Sequence, residues 1–152
     1  MAIWEPWQRE RLVFEENIIK KELPDFWFRD HAKGGLTTIW GYYTTSANQE
    51  YRLCVWIKSG FPYKIPGLYI TFPKPLYGYN GRTIQSYGTS HRMHVWEPDW
   101  NNSVKICHWQ SEHWSASYTL LSIIMKGFLW LEAYEVHCKT GKHIDAYSLT
   151  FE

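Results

Sequence analysis

A chain of 152 residues with 45% hydrophobic side chains can bury a real core, and one domain is expected across residues 1–152. The formal net charge is +1 and Lys and Arg are scattered along the chain, so nucleic-acid binding through a phosphate footprint is not expected. Three cysteines without short paired spacing argue against a secreted disulfide framework and for a reducing compartment. Ten Trp and eleven Tyr exceed what a core of this size needs. Some are expected at a contact surface, which makes a homodimer or another stable partner one expectation. Met1 is not followed by a basic-then-apolar start, so no signal peptide is expected. The longest apolar run contains Lys126 and is too short to span a bilayer. These features point to a soluble cytoplasmic protein with no membrane partner.

Pro6–Leu23 is predicted as a first helix. Pro6 suits the first turn, Trp7, Phe14 and Ile18 recur at helical spacing, and Pro24 ends the pattern. Leu36–Thr45 and Tyr51–Lys58 are predicted strands joined by the polar turn Ser46-Ala47-Asn48-Gln49. In the second of these, Tyr51, Leu53, Val55 and Ile57 share one face and Arg52, Cys54, Trp56 and Lys58 the other. Phe61–Pro66 is a proline-bracketed turn, and Gly67–Phe72 a third strand with Leu68, Ile70 and Phe72 on one side. The Gly-, Tyr- and Ser-rich stretch from Leu76 to His91 has no clear period and is expected to be a loop. Arg92–Trp96 suits a short fourth strand, and Glu97–Val104 holds the turn formers Pro98, Asn101, Asn102 and Ser103. Ser115 is predicted to cap a long, largely buried helix over Ala116–His137, stopped by Gly141. The sum is an α+β fold, one antiparallel sheet of three or four strands with helices on it.

Cys107 follows turn residues and precedes the buried helix, a setting that suits a reactive thiol. A free cysteine is otherwise most often an inert buried residue, and that reading is given to Cys54 and Cys138. His91, His94, Cys107, His108 and His113 fall in one short span. They could serve zinc, but structural sites show paired ligands at each end and the cysteines here are single, so no metal is expected. They could also supply a Cys-His nucleophile pair, as in a hydrolase. For His94 alone, a structural role in a loop is the simplest reading. Gly78, Gly81 and Gly88 are too loosely spaced to cradle a nucleotide, and no cofactor is expected.

The stretch Tyr51–Leu131 resembles the ubiquitin-conjugating enzymes. The family's Tyr-Pro-x-x-Pro-Pro turn is similar to Phe61-Pro62-Tyr63-Lys64-Ile65-Pro66. Its His-Pro-Asn segment and Ile-Cys-Leu are similar to His94-Val95-Trp96 and Ile106-Cys107-His108. Its Trp-Ser-Pro is similar to Trp114-Ser115-Ala116, seven residues past Cys107. The resemblance implies a ubiquitin-conjugating-enzyme-like fold: an N-terminal helix, an antiparallel meander sheet, an active-site cysteine loop and a long C-terminal helix. It implies catalysis through a Cys107 thioester. The family's oxyanion asparagine is not in its usual place, and Asn101 or Asn102 would have to supply that amide. The Leu-Asp that often follows the cysteine is His108-Trp109, which puts an imidazole beside the thiol.

These departures resemble the divergent bacterial branch of the family, found beside ubiquitin-like modifiers or beside the synthases of CBASS antiphage defence. The implied partners are an activating enzyme or adenylated protein C-terminus, a ubiquitin-like protein or cGAS-like nucleotidyltransferase as the carried group, and a target-protein lysine. A non-catalytic binding module of the same fold and a Cys-His hydrolase are the alternatives.

Overall fold

A computed structural model describes residues 3–87, 93–106 and 113–144. Helix α1 (Pro6–Glu22) is followed by strands β1 (Trp27–Arg29), β2 (Thr37–Thr44), β3 (Glu50–Ile57) and β4 (Gly67–Phe72). Strands β5 (Val95–Trp96) and β6 (Val104–Ile106) precede helix α2 (Leu120–Thr140). The strands form one sheet in the order β1-β2-β3-β4-β6-β5, and every pairing is antiparallel. The architecture is therefore α+β, two helices with a six-stranded antiparallel sheet.

Period-2 alternation explains how the sheet is used. On β3, Tyr51, Leu53, Val55 and Ile57 are all buried, as their spacing predicts, and they face the same core as Ile39, Leu68 and Ile70. Helix α2 lies on this face. Its approach is close because Gly127 has no side chain: a Cβ there would meet Leu53 Cδ2 at 2.7 Å and Leu68 Cδ2 at 3.2 Å. Among the described residues, no helix is long and apolar enough to cross a membrane.

The structure corrects the sequence reading in several places. The sheet has six strands, because β1 and β6 are only three residues each and carry no readable alternation. A register shift between Arg52 and Leu53 sets Phe72 opposite Arg52, so Phe72 is exposed rather than sharing the face of Leu68 and Ile70. On α1 the buried residues are Gln8, Leu12, Glu15 and Ile19, while Trp7 and Phe14 are exposed. Helix α2 begins at Leu120 under a Thr119 cap, whose side chain accepts from the Ser122 N–H at 3.1 Å. Ser115 instead closes a turn, with its carbonyl accepting from Tyr118 N–H. Gly141 does end the helix, in the left-handed region at φ 77° with its N–H on the His137 carbonyl. The Leu76–His91 stretch holds a bridge between Tyr77 and Thr83 and a 3₁₀ turn over Ile84–Tyr87.

Candidate functional site

Cys107 and His108 lie outside the described residues, as does His91. The described residues on either side of them are each tied into the fold. Before Cys107, β6 ends at Ile106, which pairs with Val95 and is buried. After it, the Trp114 indole N–H donates to the Pro62 carbonyl at 2.9 Å. Trp114 also meets the Tyr118 ring edge-on at 5.7 Å.

The Phe61–Pro66 turn is thus the seat for the segment that leads into α2, and α1 holds that turn from the other side. Gln8 Nε2 donates to the Phe61 carbonyl at 2.8 Å and the Ser59 carbonyl at 3.1 Å. Its Oε1 accepts from the Glu5 N–H at 2.9 Å. The Arg11 guanidinium stands 5.4 Å from the Phe61 ring centroid and donates to the Tyr118 carbonyl at 2.8 Å. Glu15, fully buried, pairs with Arg11 at 2.8 Å and accepts from the Leu120 N–H at 2.7 Å. A buried carboxylate at a helix N-terminus satisfies an otherwise orphaned N–H and complements the positive end of the helix dipole.

His94 precedes β5 with φ 53°, a left-handed conformation uncommon for a residue with a side chain. It is fixed by its neighbours: the Met93 carbonyl accepts from the buried Trp130 indole at 2.9 Å, and Val95 is paired in the sheet. Asn101 and Asn102 are exposed in the β5–β6 loop, also at positive φ, 51° and 54°. The Asn101 carbonyl accepts from Lys74 Nζ at 2.7 Å.

The fold groups His94 with the Ile106 end of β6 and sets the two asparagines at the opposite end. An extended strand rises about 3.3 Å per residue, so β6 separates them. Asn101 and Asn102 precede β6 and Cys107 follows it, and Cys107, whose oxyanion either amide would serve, lies outside the described residues.

Burial disfavours the thiolate at both described cysteines. Burial pushes the Cys54 thiol far above its ordinary value, against a smaller opposing effect of Arg52. Burial also raises Cys138, whose sulfur lies 3.5 Å from the Tyr77 carbonyl. Thiolate is the reactive form, so burial works against reactivity at both. Among the described residues, no group of three His, Cys, Asp or Glu could hold a metal ion.

Sequence reasoning missed Gln8, Arg11, Glu15 and Trp130 as positioning residues. The i, i+4, i+7 spacing of Gln8, Leu12 and Glu15 was the available signal, but two polar members hid it. No protein-family model matches the chain, and no curated protein matches it.

Proposed function

We propose that the chain is a cytoplasmic, ubiquitin-conjugating-enzyme-like acyl carrier that works through Cys107, in a bacterial conjugation system of the antiphage kind. The Cys107 thiolate attacks the carbonyl carbon of an activated C-terminal glycine on a ubiquitin-like protein or a cGAS-like synthase. The new C–S bond forms as the adenylate, or the thiol of an activating enzyme, leaves. A lysine amine of the target then attacks the thioester. The C–N bond forms, the C–S bond breaks, the thiolate is released and the amine gives up its proton to solvent. A thioester is already activated, so the protein mainly has to position the two partners and exclude water from the amine.

The observation that carries this reading is the Trp114–Pro62 hydrogen bond. It joins two of the segments on which the family resemblance rests, 52 residues apart in the chain. With Ile106 paired to Val95, both flanks of Cys107 have fixed anchors. His94 is assigned a shaping role, consistent with its constrained backbone. His108 is assigned to lowering the pKa of the neighbouring thiol.

The test is a Cys107→Ser protein incubated with its activating enzyme and carried protein. An ester-linked adduct, stable to thiols and cleaved by hydroxide, is expected to accumulate while transfer to lysine stops. Unchanged lysine transfer by Cys107→Ser would remove the proposal.

A further inference from the structure

The face of the sheet opposite α2 carries a concentration of side chains that the proposed transfer reaction leaves unused. Strand register puts Arg29, Trp40, Arg52, Trp56, Tyr69 and Lys105 on this face. Trp100 folds over them from the β5–β6 loop. Its ring lies 5.9 Å from Trp40, 6.2 Å from Trp56 and 5.2 Å from Tyr69, meeting Trp40 and Tyr69 edge-on. Beside it opens a recess of about 290 Å³ lined by Arg29, Lys33, Trp40, Trp56 and Trp100 among others.

Asp30 also lines this recess, but cations outnumber acids around it. Arg29 and Arg52 stand 5.7 and 5.4 Å from the Trp40 ring, and Lys58 stands 5.3 Å from Trp56. The nearby acids are already engaged. Asp99 binds Lys105 at 2.7 Å and the Tyr69 hydroxyl at 2.7 Å, and Asp30 lies 3.6 Å from Lys33. Among the described residues, no carboxylate lies within ion-pair distance of Arg29, Arg52 or Lys58. The cations are scattered in sequence, but antiparallel pairing brings Arg29 and Arg52 to the same indole.

Three indoles around a recess call for flat ligand faces, and three cations with no ion-pair partner among the described residues call for negative charge. A second copy of the chain would bring cations against cations in a two-fold contact. An acidic peptide would answer the charge but leave the indole surface without flat partners. A duplex keeps its bases stacked away from a sheet surface, whereas a single strand offers both base faces and phosphates.

We infer that this face binds single-stranded nucleic acid, with a base in the recess against Trp100 and phosphates on Arg29, Arg52 and Lys58. The site is independent of Cys107. Its occupancy would bring the carrier to a strand without taking part in acyl transfer.

The test is fluorescence anisotropy with the full chain and a labelled oligouridine of about twelve nucleotides. Three phosphate contacts on a single strand predict a log–log salt slope near −2. Affinity should therefore fall roughly fifteenfold between about 50 and 200 mM salt. Trp100→Ala should weaken binding about tenfold, the scale of one lost base–aromatic stack. Arg29→Ala, an exposed-edge change that does not disturb the core, should reduce the slope by about 0.7. The inference is overturned by absence of binding at the lower salt, by duplex of the same length binding equally well, or by uridine monophosphate displacing the oligomer at the oligomer's own concentration. Unchanged affinity in both variants overturns it as well.

Discussion

The carboxylate of Glu15 on α1 accepts a hydrogen bond from the backbone N–H of Leu120, the first residue of α2, at 2.7 Å across 105 positions of sequence. The same carboxylate holds Arg11, and Arg11 in turn holds the Tyr118 carbonyl. A long-range polar contact between two helices thus fixes where α2 starts. It also delivers the chain from Trp114 onto the helix along a defined path, linking α1 to the segment beyond Cys107.

Removing this carboxylate should therefore be expensive. Glu15→Ala leaves the Leu120 N–H without its partner and Arg11 without its counter-charge in a buried setting, and an expected loss of about 3 kcal/mol follows. Urea unfolding of the single and double Arg11→Ala and Glu15→Ala variants checks this. Additive losses in the double variant would show that the two side chains are not coupled.

Trp114→Phe keeps a ring in place but removes the donor to Pro62. The stability loss should be about 1 kcal/mol, read from the urea midpoint. The proposed lysine transfer should fall by more than that loss of folded protein explains, because the anchor for the segment after Cys107 is gone. Full transfer activity at unchanged midpoint would separate this contact from function.

Gly127→Ala tests the close approach of α2 to the sheet. Alanine favours a helix by about 1 kcal/mol over glycine, but its Cβ would sit 2.7 Å from Leu53 Cδ2. Leu53 and Leu68 are both fully buried and have little room to move, and overpacking costs about 1–3 kcal/mol. The expected outcome is a net loss of about 1 kcal/mol in thermal or urea unfolding. A stabilised protein would show that the helix can lift without penalty.

A pH effect follows from the contact between the β2–β3 hairpin and α2. The Tyr43 hydroxyl donates to Glu132 Oε2 at 2.6 Å, and Ser46 donates to the same carboxylate through its hydroxyl and its N–H. Burial opposes ionisation of Glu132, but the bonds from Tyr43 and Ser46 outweigh it and hold its pKa below the ordinary 4.5. Its stabilising contribution is complete above that value and is lost as pH falls through the depressed one. Burial, then the bond to Glu132, pushes Tyr43 up to about 12 from 10.0. Its contribution is complete below pH 10 and is lost as pH rises toward 12. Unfolding followed across pH should therefore show losses at both extremes, and Glu132→Gln should flatten the acid limb.

Period-2 alternation over Tyr51–Lys58 was legible because the stretch repeats the pattern four times, and one face of β3 is wholly buried over it. The end of α2 was legible because Gly141 can take the left-handed conformation without steric penalty. Strands β1 and β6 were not, because three residues cannot display a period and their pairing partners lie elsewhere in the chain.

The sequence by itself determined the α+β class, the central β2–β3–β4 meander, the buried character of α2 and the segments on which the candidate site rests. Those depend on hydrophobic periodicity and turn chemistry, which act over a few residues. Only the tertiary structure decided that Gln8 and Glu15, not Trp7 and Phe14, face inward on α1, since polar side chains become core residues only when distant backbone groups satisfy them. It likewise decided that Asn101 and Asn102 stand apart from His94, and that scattered cations meet around three tryptophans. Strand register sets both outcomes, and register is a property of paired chains rather than of any local stretch.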